Sequence, residues 1–339
     1  MDEREGAIRA LLERCGWKGA RRERLAGDAS FRHYERVRAG RRTAVLMDAP
    51  PGREDVRPYV QVDELLRRLG YSAPRILGRD VDNGLLLLED LGDDTFTRVL
   101  ARNPHEPERE QLLYESAVDL LIDLHRRDPH MADALPPYDD ARLLNEAGLL
   151  VDWYMPAMCG EPTEAAIRAE YLSLWTSLFP VARSVADTLV LRDYHVDNLM
   201  WLSRRRGIRR CGLLDFQDAV RGPLSYDLVS LLEDARRDIA APLVADMRAR
   251  YLRAFPDLDA AAFEASYAVL GAQRNAKIIG IFTRLAVRDA KPVYLGHIPR
   301  VWRLLEADLA HPALAPMRAW LDRRLPKGGR GVPKVASAA

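Results

Sequence analysis

The stretch Val190-Leu191-Arg192-Asp193-Tyr194-His195-Val196-Asp197-Asn198-Leu199-Met200-Trp201, read with Gly212-Leu213-Leu214-Asp215-Phe216-Gln217, decides the fold of this chain. An apolar run leads into Asp193, a polar loop follows, Asn198 stands five residues on, and an apolar run resumes. The second segment reads as a short buried strand that delivers an acid, Asp215, at its end. As local structure alone, Asp193 and Asn198 also suit turns, and Asp215 also suits a strand end. D-x-x-x-x-N by itself is a weak signal. Hydrophobic strands on both sides, with Leu-Leu-Asp-Phe at the right distance, make it much more specific.

An Asp, an Asn five residues later and a strand ending in Asp-Phe form the layout of a kinase catalytic loop and metal-binding segment. Phosphoryl transfer explains the residue types. A carboxylate must orient the attacking hydroxyl and accept its proton, and oxygen ligands on two elements must hold Mg²⁺ against a triphosphate.

Composition sets the class. With 339 residues the chain suits two lobes and has ample length for a core. A hydrophobic content of 48%, a charged content of 30% and a formal net charge of +1 give no electrostatic case for nucleic acid or an anionic membrane. No apolar run approaches the length of about 18 residues that a transmembrane helix needs. The charged start Met1-Asp2-Glu3-Arg4-Glu5 lacks the apolar centre of a signal peptide. Cys15, Cys159 and Cys211 are scattered and odd in number, which argues against disulfides or a zinc site and suits a reducing cytoplasm.

Working outward, Arg4 to Cys15 predicts a helix with Ile8, Leu11 and Leu12 on one side. Leu25 to Tyr34 reads as a hairpin turn, equally a plain one or one lying over nucleotide phosphates, with strands at Tyr34–Arg38 and Thr43–Asp48. Val56 to Leu69 predicts a helix stopped by Gly70, followed by strands at Arg75–Gly78 and Leu85–Leu88. A five-stranded N-terminal lobe follows, with Glu89 to Gly92 as its hinge. Beyond it the pattern is helical: Thr95–Ala101, Glu108–Arg127, Ala141–Trp153, Glu164–Leu178, Tyr226–Arg236, Pro242–Ala254, Ala260–Asp289 and Pro299–Ala310. The expected organisation is an α+β bilobal chain. Residues 1–91 form a nucleotide-binding lobe, 92–326 a mainly helical catalytic and substrate lobe, and 327–339 a disordered tail.

From Leu25 to about Leu309 the chain resembles the aminoglycoside phosphotransferase and choline kinase family, which has a protein-kinase-like fold. The matching segments are Leu86-Leu87-Leu88-Glu89-Asp90-Leu91-Gly92, Leu120-Leu121-Ile122-Asp123-Leu124-His125, Leu191-Arg192-Asp193 with Asn198, Leu213-Leu214-Asp215-Phe216-Gln217-Asp218, and Gly222-Pro223-Leu224-Ser225-Tyr226-Asp227-Leu228. Asp28-Ala29-Ser30-Phe31-Arg32 and Met47-Asp48-Ala49-Pro50-Pro51 look most like the bacterial anomeric kinases for N-acetylmuramate and N-acetylglucosamine. The resemblance implies ATP and Mg²⁺ as cofactors, Asp193 as the catalytic acid–base residue, and Asn198 and Asp215 as metal ligands. It implies that Asp227 ties a helix start to the catalytic loop. Ser30, Phe31 and Arg32 would meet the nucleotide phosphates, and Glu89, Asp90 and Leu91 would hold adenine through backbone hydrogen bonds. His125 reads as a core or loop-bracing residue, His195 as a loop or substrate residue, and Asp197 as a solvated loop acid.

Two departures stand out. Leu191 occupies the usual His of the loop, and Met47 occupies the place of the nucleotide-holding Lys, whose Glu partner falls near Tyr59. Losing both members of that pair avoids burying an unpaired charge. It leaves open what neutralises the α and β phosphates, with Arg32 and the metal ions as candidates, and it keeps open a pseudokinase that binds nucleotide without turnover. The segment Tyr138 to Thr163 mixes acids with Trp153 and Tyr154, which suits a neutral or singly charged sugar better than a polycation. The expected acceptor is the C1 hydroxyl of an N-acetylated amino sugar in cell-wall recycling, met by His195, Glu146, Trp153, Tyr154 and Arg274. Trp153 and Tyr154 could equally be core residues at a helix end. Aminoglycoside, choline and other hydroxyl metabolites are the alternative acceptors.

Overall fold

The computed structural model describes residues 3–25 and 31–334. In chain order the elements are α1 (Glu3–Arg14), β1 (Arg21–Arg24), β2 (His33–Ala39), β3 (Arg42–Asp48), α2 (Arg57–Arg68), β4 (Ile76–Asp80), β5 (Leu85–Glu89), α3 (Phe96–Arg102) and α4 (Pro107–His125). Next come α5 (Asp140–Leu149), α6 (Met155–Cys159), α7 (Ala165–Ala182), β6 (Asp187–Val190), β7 (Leu199–Trp201), β8 (Cys211–Leu213) and β9 (Val220–Pro223). The chain ends with α8 (Tyr226–Leu232), α9 (Ala241–Arg253), α10 (Ala260–Asp289), α11 (Ile298–Asp308) and α12 (Ala315–Arg324). Two compact units result. One comprises residues up to Leu120 together with Val196–Asp218, and the other comprises Leu121–His195 and everything from Ala219. The division drawn from sequence at Leu91 falls inside the first unit.

The first unit is built on an antiparallel five-stranded sheet of order β1-β2-β3-β5-β4. Its alternating residues Val37, Ala44, Leu46, Leu85 and Leu87 pack with Ile8, Leu11, Leu12 and Trp17 into one apolar cluster. The sequence reading did not place β1, because Arg21-Arg22-Glu23-Arg24 has no apolar alternation. A charged strand at a sheet edge discourages pairing with another chain and leaves no periodic signal. The expected turn at Asp28-Ala29-Ser30 lies outside the described residues. The hairpin β7–β8 also belongs to this unit, with Leu199 opposite Leu213 and Trp201 opposite Cys211.

The second unit is helical around α10, whose buried face runs from Phe263 to Ala286. Close approach of α5 to α10 depends on Gly280: a Cβ there would stand 2.3 Å from the Leu149 carbonyl carbon. The helix expected over Ala141–Trp153 leaves α geometry at this point. It passes through a π-helical turn, Leu150–Tyr154, into α6, where Pro156 supplies no N–H for a regular bond. Helix α8 ends earlier than expected, at Leu232. Its continuation is drawn off by side chains: Asp234 accepts from the Arg236 amide at 2.7 Å and Glu233 from Asn275 at 2.8 Å. The strands β6 and β9 pair antiparallel, Val190 opposite Val220. The segment expected to be disordered from Lys327 instead begins with a 3₁₀ turn, and Arg330 pairs with Glu306 at 2.7 Å and with Asp322 at 2.6 Å.

Candidate active site

In the first unit, Asn198 directly precedes β7 and Asp215 follows β8 by two residues. The Leu214 amide donates to the Asn198 carbonyl at 2.9 Å, so one hairpin presents both side chains at the same end. Asp215 has a left-handed φ of 56°, a conformation that Asp tolerates better than most residues. Its Oδ1 accepts from Gln217 at 2.9 Å and lies 3.4 Å from Arg32. Phe216, buried, stacks on Tyr59 with ring centroids 4.8 Å apart. An apolar ring contact on the segment carrying Asp215 thus occupies the position where a carboxylate was expected on α2. Met47 is also buried, so neither half of the usual ion pair is charged here.

Arg32 is the cation beside Asp215. It bridges to Glu54 at 3.1 Å, and although burial alone would lower its pKa, Tyr34, Glu54 and Asp215 raise it, so it is firmly charged. Arg32, Arg53 and Glu54 line a cavity of about 620 Å³ that also touches Gln217 and Asp218. Phe31 is exposed and lies under the Arg53 guanidinium, 5.0 Å from ring centroid to carbon. Ser30 lies outside the described residues.

At the expected hinge, the Glu89 amide already donates to Arg75 at 2.8 Å, and the Glu89 carboxylate pairs with Arg205 at 2.9 Å. Asp90 is held by Arg36 at 2.9 Å, and the same guanidinium reaches Asp93 at 2.9 Å. Two of the three expected adenine contacts therefore have side chains committed to bracing. Leu91 enters no backbone–backbone hydrogen bond among the described residues. Asp197, expected to be a solvated loop acid, bonds the Thr97 hydroxyl at the start of α3. It anchors the loop there.

In the second unit the loop after β6 carries Asp193. Asp227, on α8, accepts from the Leu191 amide at 2.6 Å and the Arg192 amide at 2.9 Å. One helical turn on, Ser230 donates to the Arg192 carbonyl at 3.0 Å. Two side chains of one short helix thus clamp the backbone on the approach to Asp193, and Arg192 is held in the left-handed region at φ 68°. Burial pushes the Asp227 carboxyl up to about 7, against the downward pull of those two amides. Its role as a tie between helix start and loop is visible in these contacts.

Of the expected acceptor residues, His195 and Arg274 share the neighbourhood of Asp193. Burial lowers the His195 pKa against the attraction of Asp234. Arg274 is buried and donates to the Glu233 carbonyl at 3.2 Å. Glu146 has its oxygens engaged by Arg192, by Lys277 at 3.0 Å, by the Tyr138 hydroxyl and by Gln273 at 3.3 Å. Burial alone would raise its pKa, but Lys277 and Arg192 bring it down to about 2. Tyr154 must be corrected from substrate contact to core: it is fully buried, bonds the Gly331 carbonyl at 2.8 Å and packs on Trp302 at 5.6 Å. Trp153 is half-buried. The sequence reading missed Lys277, Gln273 and Tyr138. The signal for the first two was the polar run Gln273-Arg274-Asn275 with Lys277 inside an otherwise apolar helix.

Asn198 and Asp215 supply hard oxygen donors, and no group of three or more potential metal-ligating side chains exists among the described residues. This donor set fits Mg²⁺, which keeps waters and takes phosphate oxygens as ligands. No helix among the described residues is long and apolar enough to cross a membrane.

Comparison with known proteins places these features in a family. The model of the phosphotransferase enzyme family matches residues 21–263. A curated protein of Caulobacter vibrioides, N-acetylmuramate/N-acetylglucosamine kinase, is 38% identical over 96% of this chain and 97% of its own length. The protein of that name from Pseudomonas aeruginosa is 39% identical over 89% of this chain and 88% of its own. Among solved structures, the GDP complex of aminoglycoside 2′-phosphotransferase-IIIa superimposes with a TM-score of 0.60 at 15% identity, covering 91% of this chain and 99% of the other. At that identity the likeness speaks for the α+β protein-kinase-like fold alone.

Proposed function

This chain belongs to the phosphotransferase enzyme family, and on that premise we propose that it is an ATP- and Mg²⁺-dependent kinase for the C1 hydroxyl of N-acetylmuramate and N-acetylglucosamine. The observation that carries the acceptor class is the charge around Asp193. Arg192 and Lys277 act electrostatically on Asp193, and the nearby acid Glu146 is spent on both of them. Glu146 therefore offers no free carboxylate to the ammonium groups of a polycationic aminoglycoside. A neutral or carboxylate-bearing sugar needs none there.

Asp193 orients the anomeric hydroxyl and takes its proton as the sugar oxygen bonds to the γ-phosphorus and ADP leaves. Asp227 and Ser230 fix the backbone that aims it. Asn198 and Asp215 would hold Mg²⁺, which would supply charge neutralisation at the phosphates. Arg32, beside Asp215, takes over the phosphate-facing charge that Met47 lacks. Leu91 offers backbone groups to the adenine. A cytoplasmic role in recycling cell-wall amino sugars follows from this substrate choice.

The test is a product assay with purified protein, ATP and Mg²⁺ over N-acetylmuramate, N-acetylglucosamine, choline and kanamycin. The expected result is loss of the sugar's reducing end, with phosphorus NMR coupling to the anomeric proton. Turnover of choline or kanamycin alone would overturn the acceptor assignment. ATP binding without ADP formation on any acceptor would favour a pseudokinase.

A further inference from the structure

A cavity of about 560 Å³ lies between the second half of α2 and the edge strand β4, within the first unit. Four arginines line it: Arg67 and Arg68 on α2, Arg75 just before β4, and Arg79 on β4. Against them stand the carboxyl groups of Asp63 and Glu64, so at least two positive charges are in surplus. The whole chain carries a formal net charge of only +1, so this is a local concentration. Among the described residues, the Arg68 and Arg75 side chains have no hydrogen bond or ion pair. Arg67 uses Nη1 alone, on the Ala73 carbonyl at 3.1 Å and toward Glu89 at 4.0 Å. Arg79 pairs with Glu64 at 3.1 Å, but both side chains are more than half exposed, so water screens that contact.

Asp63 is 1% exposed, and its Oδ1 is buried without a hydrogen-bond partner among the described residues. Burial pushes its pKa up to about 7; Arg67, one turn along α2, pulls it down, and Glu64 and Glu89 raise it further. The C-terminal end of a helix favours cations, which by itself accounts for Arg67 and Arg68. It accounts for neither Arg75 across the cavity nor a buried carboxyl between two charge states.

We propose that this cavity binds a phosphate dianion, free or carried on a small organic group, held by the arginines while the Asp63 carboxyl is in its neutral form. Guanidinium forks match phosphate oxygens two at a time. A phosphomonoester concentrates about −1.5 to −2 charge in one group, which answers a surplus of two better than a single carboxylate does. The volume suits a small molecule, and Ile76 and Leu77 give the strand side an aliphatic wall for its organic part. An arriving dianion repels ionised Asp63, so binding draws a proton onto that carboxyl and strengthens as pH falls. The charged groups that face Asp63 are Glu64, Arg67 and Arg68 on its own helix, Arg75 and Arg79 on the strand side, and Glu89 at the end of β5.

The experiment is isothermal titration calorimetry on the full chain without Mg²⁺, with inorganic phosphate and glucose 6-phosphate as probes and circular dichroism to check folding. Wild type should bind at least one probe saturably. The double variant Arg68→Gln/Arg75→Gln should bind it about ten-fold or more weakly, the scale of lost charge-assisted hydrogen bonds. Arg32→Ala should stay within about two-fold of wild type, because Arg32 lines the other cavity. Asp63→Asn should bind about three-fold or more tightly than wild type near pH 8 and equally near pH 6; taking the ratio cancels the titration of the phosphate itself. Tighter binding of glucose 6-phosphate assigns the occupant to a phosphorylated metabolite, and equal affinities assign it to free phosphate; both support the site. No saturable binding by wild type, or undiminished binding by Arg68→Gln/Arg75→Gln, overturns it. An Asp63→Asn to wild-type ratio that is the same at both pH values overturns the part given to Asp63. If Asp63→Asn does not fold, the arginine pair, whose side chains hold no other contact to lose, decides. None of these readouts involves turnover, so they stand apart from the kinase reading.

Discussion

Replacing Gly280 by Ala tests the packing that holds α10 against α5. The added Cβ would stand 2.3 Å from the Leu149 carbonyl carbon, 2.4 Å from its oxygen and 2.6 Å from its Cβ. Comfortable carbon contacts begin at about 3.5 Å, so the two helices must separate by roughly 1 Å. Both obstructing groups are backbone or backbone-attached and cannot swing aside, which places the cost near the upper end of the usual overpacking range, about 3 kcal/mol. For a unit of about 200 residues that corresponds to a Tm lower by roughly 6–12 °C. The same separation would stretch the Lys277–Glu146 contact, now 3.0 Å, beyond hydrogen-bonding range, because those residues lie one turn before Gly280 and Leu149 on the same two helices. Thermal melting followed by circular dichroism, with kcat measured below the transition, reads both effects. Gly6→Ala is the control. Gly6 lies in α1 with no heavy atom within 4 Å of an added Cβ, and the change should stabilise by about 0.5–1 kcal/mol. A Gly280→Ala protein melting within about 2 °C of wild type would refute the reasoning.

Asp193→Asn should keep the melting temperature and nucleotide binding but lower kcat by at least about 10²-fold, and near-normal turnover would remove Asp193 from the chemistry. Arg32→Ala removes the cation beside Asp215 and should raise KM for ATP by about ten-fold or more, the value of a charge-assisted hydrogen bond; unchanged ATP kinetics would take Arg32 out of the site. Burial lowers the His125 pKa from 6.5 to about 3, and its Nδ1 lies 2.7 Å from the Tyr251 hydroxyl. A depressed folded-state pKa contributes stability that is complete above pH 6.5 and lost as pH falls toward 3, at about 1.4 kcal/mol per pH unit. His125→Gln should flatten that decline between pH 6.5 and 4 in chemical-denaturation titrations, and parallel curves for the two proteins would contradict it.

The sequence by itself determined most element types and singled out the candidate site residues. Hydrophobic periodicity placed β2 to β5, α2 and α10 because each buries one face, and burial forces apolar residues into the period of the element. The Asp193, Asn198 and Asp215 spacing was legible because all three lie in short segments tied to strands, where local chain geometry fixes where a side chain emerges. Where no apolar face was at stake the sequence was silent, as in the charged edge strand Arg21–Arg24. Tertiary structure alone decided which polar groups spend their hydrogen bonds on one another. Tyr154 looked like a sugar platform until α11 and the C-terminal segment closed over it. Glu146 looked like a substrate ligand until α10 brought Lys277, and the loop after β6 brought Arg192, to its carboxylate. Residues this far apart in sequence share no local signal. Their partnership exists only because Gly280 lets two helix backbones approach closely enough for it to form.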